Sequence, residues 1–361
     1  DLPNEDLTWE TSEQLNIGLD ARFLSGRLGF TLDWYNKKTK DLLVAVPVDP
    51  TTGFSTQMKN AGTVENKGIE LSLTWNDKIG KDFQYNVGWN MAYNHNEVTE
   101  VKSNQTYNNG GKDLLAQNTG YMARFEEGHP IGYFWGYKTE GVMQNEADVQ
   151  AYLDKNCKGD AANSKQGTSI KPGDLKFVDH NGDGKITDAD RQYMGSATPK
   201  TTFAFTLGMT WKKLSFSAMF QGVGGAKALY VGKYMLLSDV EGNFNRSSEI
   251  LNAWSPTNTG SDIPRLSKND PNGNFTTASD WYLENASYLR LKNVTLSYDL
   301  SNVFRKWSHL NDRNSRLSVY FSGENLATIT GYSGMDPECG GWDALKYPVS
   351  RVLSVGVKLT Y

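Results

Sequence analysis

The chain has 361 residues, with 37 Lys and Arg against 41 Asp and Glu and a formal net charge of −4. This balance gives no electrostatic reason to expect a nucleic acid as the partner. Hydrophobic residues make up only 38% of the chain, and no run approaches the ~18 apolar residues of a transmembrane helix, so helical membrane proteins are excluded. Aromatic residues reach 12% and glycine contributes 35 residues, which favours β structure.

Strict alternation of apolar and polar residues is the main signal along the chain. Side chains alternate between the two faces of a strand, so each alternating segment predicts a strand with one apolar and one polar face. About nine such segments occur, at 15–23, 28–34, 69–75, 83–93, 203–211, 214–220, 294–298, 317–321 and 353–361. The fold class is therefore predicted to be all-β and antiparallel.

The connections between these strands alternate in length. Short ones fall at 25–26, 76–80 and 212–213, with a longer turn at 301–315, whereas the opposite ends are joined by 48–62, 100–200, 222–280 and 327–350. Short turns on one rim and long loops on the other are typical of a transmembrane β-barrel of the outer membrane. The alternative is a large soluble β-sandwich with Trp in its core, in which long loops would have no reason to keep to one end.

The pattern also predicts which side chains face lipid. In the second strand we expect Leu32 and its apolar neighbours to point outward, and Thr31 and Asp33 to point into the lumen. Aromatic residues near the short turns resemble a girdle at the membrane boundary; they are Phe23, Trp75, Phe83 and Trp211. Residues 27–46 would span roughly 65 Å as one strand, whereas the bilayer needs only ~10 tilted residues, so residues 37–46 should stand above the membrane.

Nine strands do not make a complete barrel. Bacterial single-chain barrels use even strand numbers, and an open sheet would leave unpaired edges in lipid. The chain also begins at Asp1 without an initiator Met or a signal peptide. We therefore expect it to be part of a barrel whose other strands lie elsewhere in a longer protein.

The sharpest local motif is a calcium-type loop at 179–190, within the long insertion 101–200. Asp179, Asn181 and Asp183 occupy positions one, three and five of the twelve-residue pattern, with Gly184 at the turn. Lys185 would contribute its backbone carbonyl at position seven, and Asp190 stands at position twelve. Asp190 is shorter than the usual Glu, and the residues before the loop, 175–178, look extended rather than helical. The alternative is a Gly- and Asn-rich turn that binds no ion.

Several short motifs occur in order along almost the whole chain. They are the segments 7–11, 16–20, 33–41, 66–71, 128–132, 172–176, 287–294, 323–326 and 332–337, which include NKGIEL, GHPIG, PGDLK, SYLRLKNV, GENL and YSGMDP. In sequence and spacing these motifs resemble the SusC/RagA family of TonB-dependent outer-membrane transporters.

The resemblance implies that residues 1–361 are the C-terminal portion of one plugged barrel of about 22 strands, with long extracellular loops. It also implies import of oligosaccharides, or of peptides in some members, together with a SusD-like surface lipoprotein that closes over the barrel as a lid. Energy would come from TonB–ExbB–ExbD, acting through the plug and N-terminal segments. The alternative is a passive porin or a surface adhesin built on a barrel, and an upstream TonB-binding segment with a plug would decide for the transporter.

Candidate ligand contacts lie in the long loops, because sugars present apolar ring faces that aromatic platforms can stack against. The candidates are Trp135, Trp254 and Trp342, and the alternative is that these rings pack the loops against each other or against the partner lipoprotein. No catalytic motif is present, so an enzyme is not expected. The two cysteines, Cys157 and Cys339, are too few for a disulfide framework, and either two unpaired thiols or a single bridge remain open.

Overall fold

The computed structural model describes residues 2–102, 107–110, 122–240, 245–308 and 315–360. Most of these residues are in strands. The strands are β1 (Thr11–Phe23), β2 (Leu28–Pro47), β3 (Thr56–Ile79), β4 (Phe83–Val101), β5 (Tyr107–Gly110), β6 (Ala123–Glu126), β7 (Tyr133–Gly136), β8 (Thr139–Val142), β9 (Leu175–Phe177), β10 (Gln192–Gly195), β11 (Thr201–Trp211), β12 (Leu214–Gly224), β13 (Lys227–Tyr230), β14 (Leu283–Asn285), β15 (Tyr288–Asp299), β16 (Arg316–Thr330), β17 (Trp342–Asp343) and β18 (Val352–Thr360). The helices are α1 (Glu146–Asn156), α2 (Gly232–Leu237) and α3 (Ser301–Ser308), with short 3-10 turns at Pro50–Thr52, Ala161–Asn163, Gly167–Ser169, Asp188–Asp190, Ser248–Asn252 and Asp280–Tyr282.

Nine strands form one large sheet, which we call the wall. Their order is β1-β2-β3-β4-β11-β12-β15-β16-β18, and every neighbouring pair is antiparallel. This confirms the predicted antiparallel sheet and its nine strands. The strands begin and end up to about a dozen residues beyond the alternating segments, and β2 is a single strand of 20 residues, as its length in the sequence predicts.

Apolar side chains form continuous rows across one face of the wall. One row contains Leu19, Leu32, Leu71, Met91 and Phe203, and another contains Ile79, Phe83, Trp211, Leu214, Tyr298, Val319 and Val357. These rows remain partly uncovered: Leu32 is 37% exposed in the first row, and Ile79 is 65% and Val357 66% exposed in the second. Such a broad exposed apolar face suits contact with lipid.

The opposite face of the wall is polar. Asp20, Thr31, Ser72, Asn90 and Gln221 lie in one row across it. The Thr31 hydroxyl donates to Asp20 Oδ1 at 2.6 Å, and the Ser72 hydroxyl donates to Asn90 Oδ1 at 2.8 Å. Water or polar protein therefore suits this face, as the interior of a barrel requires.

The wall is not closed within the described residues, since β1 and β18 are its two edges. The connections 24–27, 80–82 and 212–213 lie at one end, where Arg27 covers the ring of Trp75 and Lys212 covers the ring of Trp211. The connection predicted as long at 48–62 lies at the opposite end but contains only residues 48–55, because β2 continues to Pro47 and β3 begins at Thr56. The connection 301–315, predicted as a turn, contains α3 instead. At the other end the long connections fold together: we call residues 122–200, 225–287 and 331–351, as far as described, the cap, and the adjoining strand ends the rim.

Candidate functional site

The cap has its own apolar cores. One core joins Met122, Phe134 and Met194 from the first long connection to Tyr234, Phe275 and Tyr282 from the second. A further core lies under α1 and includes Tyr137, Leu153, Cys157, Leu175 and Phe177. The predicted insertion 101–200 therefore folds together with residues 225–287 rather than by itself, and its residues 103–106 and 111–121 lie outside the described residues.

A buried carboxylate, Asp174, and a half-buried one, Asp280, tie these segments together. Asp174 is fully buried, and its carboxylate accepts hydrogen bonds from Arg265 Nε at 2.6 Å, Asn272 Nδ2 at 2.7 Å and Asn274 Nδ2 at 2.9 Å. Asp280 accepts the amide and the hydroxyl of Thr139 at 2.9 and 2.8 Å. Because a buried charge must be paired or hydrogen-bonded, these contacts fix the two long connections against each other.

A cavity of about 560 Å³ lies between the cap and the rim. The end of β4 and the turn from β10 into β11 contribute one side, and the segment 128–130 contributes another. The lining residues are Asn94, His95, Asn96, Gly128, His129, Pro130, Lys138, Tyr193, Met194, Gly195, Ser196, Thr198, Pro199, Lys200, Gly225 and Lys227. Its size falls within the range of small-ligand sites.

The cavity is basic. Lys138, Lys200 and Lys227 line it, no Asp or Glu is among its described lining residues, and no described carboxylate lies at salt-bridge distance from these three amines. Asp280 lies within the field of Lys227 and Lys138; burial raises the pKa of its carboxyl, and the Thr139 hydrogen bonds and this field oppose the rise. Sequence analysis missed this set because its members are distant in sequence.

An aromatic stack borders the same cavity. The ring centroids of His129 and Tyr193 are 5.6 Å apart and nearly parallel, and His129 lies 4.5 Å from the ring of Tyr133. Tyr133 is fully buried and donates its hydroxyl to Glu126. The GHPIG motif thus supplies a flat ring at the cavity.

The three predicted aromatic candidates have different surroundings. Trp135 is half-buried, with the guanidinium carbon of Arg124 at 4.0 Å from its ring. Trp254 packs against the core under α1, and its indole N–H donates to the Gln144 carbonyl at 3.2 Å. Trp342 remains 47% exposed on β17. None of the three lines the basic cavity.

The predicted calcium loop is closely wrapped. Asp179 accepts the amides of Gly182 and Gly184 at 2.8 Å, and Asn181 and Asp183 each accept the amide two residues later at 2.8 Å. Asp190 is fully buried and accepts the amides of His180, Asn181 and Thr187. Residues 175–177 form β9, as the extended pattern predicts. Within the described ranges, no three His, Cys, Asp or Glu side chains are grouped to hold a metal ion.

The two cysteines are buried free thiols in separate cores. Burial raises the pKa of Cys157 to about 11, an effect that the nearby Asp179 reinforces and a hydrogen bond from Tyr152 opposes. Cys157 also lies close to the calcium-type loop. Its neighbour in the chain, Asn156, accepts a hydrogen bond from the Asp179 amide at Oδ1, at 3.3 Å.

Arg290 connects the wall to the third cap segment. Its guanidinium is 3% exposed and donates to Asp336 Oδ1 at 2.5 Å, Glu338 Oε2 at 2.7 Å and Thr328 Oγ1 at 3.0 Å. Asp336 also accepts the amides of Glu338 and Val349 at 3.0 Å. Burial alone would raise the pKa of Asp336, but these amides and Arg290 outweigh it and lower that pKa.

Among the described residues, no α-helix is long and apolar enough to cross a membrane.

Comparison with known proteins gives a consistent family. The family model "TonB dependent receptor-like, beta-barrel" matches residues 1–326. Curated relatives include TonB-dependent receptor P3 of Formosa agariphila, 31% identical over 385 residues that cover 100% of this chain and 35% of the relative. TonB-dependent receptor SusC of Bacteroides thetaiotaomicron is 29% identical over 366 residues, which cover 99% of this chain and 32% of SusC.

Solved structures give the same result. The RagAB peptide transporter matches with a TM-score of 0.76 and 28% identity over 99% of this chain and 36% of the solved chain. The RagAB peptide importer in the "open-open" state matches with a TM-score of 0.75 at the same identity, over 35% of that chain. The chain therefore spans about a third of the length of the relatives it matches. Those relatives are named receptors and transporters.

Proposed function

Because this chain belongs to the family of TonB-dependent receptor-like β-barrels, we propose that it forms part of the wall and the outer cap of an energised outer-membrane transporter of the SusC/RagA type. The observation that carries this proposal is the uncovered face of apolar rows across nine strands, with a polar face behind it and a folded cap at one end. A lipid-facing wall with large loops on one side suits import through a barrel.

The solute is a short oligosaccharide or peptide. Peptide import is supported by the likeness to RagAB at 28% identity. Oligosaccharide import is supported by the exposed ring of Trp342 on the cap, since such a ring can stack on a sugar. Trp135 and Trp254 are weaker ligand contacts, because the first is covered by Arg124 and the second is packed in a core.

The cap is extracellular and is covered by a SusD-like lipoprotein lid. The third cap segment exposes several apolar side chains, with Tyr347 89%, Met335 64% and Trp342 47% exposed, and exposed apolar surface is typical of protein contacts. Tyr347→Ser should weaken co-purification of the lid, whereas substitution of an exposed residue at the short-turn end, such as Val303→Ser, should not. Energy from TonB–ExbB–ExbD would enter through other parts of the protein.

The transport proposal is tested by uptake into cells that express the complete transporter. Labelled oligosaccharide and peptide pools are offered to cells with and without TonB, and to cells lacking the transporter. Uptake that requires both the transporter and TonB supports the proposal and identifies the solute class. Uptake that continues without TonB would indicate a passive porin, and cell adhesion without any uptake would indicate an adhesin.

We also propose that residues 179–190 bind calcium as a structural ion that rigidifies the first long connection. The ligands would be the side-chain oxygens of Asp179, Asn181 and Asp183 and the Lys185 carbonyl, because oxygen atoms at alternate positions of such a twelve-residue loop can converge on one cation. Asp190 would contribute only through lone pairs not used by its three backbone amides. Calcium titration of the intact protein by calorimetry tests this: Asp183→Ala should abolish binding, whereas Asp188→Ala, outside the ligand set, should retain it.

A further inference from the structure

We infer that the basic cavity between cap and rim binds an anionic group, a carboxylate, sulfate or phosphate, carried by the imported solute. The inference rests on the proposed transport function and specifies its substrate class as acidic. Lys138, Lys200 and Lys227 bring three ammonium groups to one cavity of about 560 Å³. Among the described residues none of the ion pairs involves these three amines, although the field of Lys227 and Lys138 acts on the Asp280 carboxyl, so the described lining of the cavity is positively charged.

Two glycines allow the side chains of Lys227 and Lys200 to pass close to the backbone. The Lys227 side chain crosses Gly195, where a Cβ would lie 2.7 Å from Lys227 Cδ, and Gly195 has a φ of +117°. The Lys200 side chain lies over Gly225 in the same way, with Lys200 Cβ 3.1 Å from where a Cβ would be. A side chain at either glycine would displace a lysine, so the two glycines keep these amines over the cavity.

Neutral groups complete the site. The Ser196 hydroxyl oxygen accepts the Thr198 amide at 3.1 Å, which leaves its proton for donation to a ligand. Asn94 and Asn96 are already held by Tyr35, Asn66 and the Ile131 amide, so the polar rim is preformed. The stacked rings of His129 and Tyr193 offer an apolar surface beside the charges. A lysine ammonium acts as a point charge, whereas an arginine guanidinium is planar and binds anions of matching geometry. The site therefore selects for negative charge and not for one anion geometry.

Protection of the lysines from acetylation tests the inference on the intact transporter, purified in detergent free of lipopolysaccharide. The probes are two matched pairs: hexagalacturonate against galactohexaose, and an alternating Ala–Asp hexapeptide against its Ala–Asn counterpart. An acidic probe at ten times its half-protecting concentration leaves about a tenth of the sites free, so acetylation of Lys200 and Lys227 should slow about tenfold. Lys171, an exposed cap lysine outside the cavity, should react at an unchanged rate.

Variants and lipid separate the outcomes. Lys227→Met should remove the protection of Lys200, Lys227→Arg should retain it, and Lys171→Met should have no effect. Equal protection by the neutral probes, or protection by neither acidic probe, would overturn the inference. Protection that appears only after lipopolysaccharide is added would assign the site to a lipid anion and overturn the solute assignment. TonB-dependent uptake without acid selectivity would refute this inference alone. Acid protection without TonB-dependent uptake would refute the transport proposal and leave only the binding of an anion by the cavity.

Discussion

Replacing Arg290 by Met should release the third cap segment from the wall. The substitution keeps an apolar stem of similar length but leaves Asp336 and Glu338 without their buried cation. Removing one partner of a buried ion pair costs about 3–5 kcal/mol. Because Glu338 is about one third exposed and Asp336 keeps two amide donors, we expect the lower end, about 3 kcal/mol, which corresponds to about a 100-fold change in a local opening constant.

Hydrogen exchange reports this opening directly, because the amides of Glu338 and Val349 donate to Asp336. In the complete transporter in lipid nanodiscs, both amides should exchange about 100-fold faster in the Arg290→Met variant. The matched control is Lys292→Met, since Lys292 contacts the same Glu338 at 3.8 Å but is one third exposed. Exposed pairs contribute about 1 kcal/mol or less, so this control should accelerate exchange about fivefold at most.

The pH dependence provides a second check on the same contacts. A carboxyl whose folded pKa is lowered stabilises the fold above its unfolded pKa, and the stabilisation is lost as the pH falls through the folded value. The protection of the two amides, corrected for intrinsic exchange, should therefore be constant near neutral pH and fall in acid below the ordinary pKa of Asp336. Unchanged exchange in Arg290→Met at neutral pH would refute the argument that this ion pair holds the segment.

The other predictions concern lipid contact, the calcium-type loop and packing of the wall. Leu32 lies four residues, about 13 Å of strand, from Leu28 at the short-turn end, and therefore within the bilayer. Leu32→Lys should lower the free energy of unfolding in liposomes by about 2–4 kcal/mol, and Thr31→Lys on the polar face by less than half as much. Equal losses would contradict the assigned faces. Cys157, with its pKa raised to about 11, should be alkylated at pH 8 about two orders of magnitude more slowly than a free thiol. Removal of calcium by a chelator should accelerate this alkylation. An equal rate with and without chelator would argue against a calcium ion in the loop. Gly222→Ala would place a Cβ 2.6 Å from a neighbouring backbone oxygen and should lower the free energy of unfolding by about 1–3 kcal/mol. Gly224→Ala, with its nearest neighbour at 3.8 Å, should be nearly neutral. Urea titration of both variants measures the difference.

The wall could be predicted from sequence because a strand between lipid and a polar interior alternates residue by residue, as in 69–75 and 203–211. The cap could not, because its contacts join residues about a hundred positions apart, such as Asp174 with Asn274. The basic cavity is also assembled over a long range, since Lys138, Lys200 and Lys227 come from three segments. The helix α3 was missed because an eight-residue segment carries little periodic signal, even though Val303 and Trp307 stand one turn apart.

Collision accessibility along β3 in a bilayer tests the central claim that the wall separates lipid from a polar interior. Spin labels are placed one at a time from residue 69 to residue 75 of the complete transporter, and relaxation by oxygen is compared with relaxation by a water-soluble nickel chelate. Ile69, Leu71 and Leu73 should be reached by oxygen, with low chelate access. Glu70, Ser72 and Thr74 should show the opposite ratio or low access to both reagents. Accessibility without a period of two, or with oxygen reaching the even positions instead, would contradict the account.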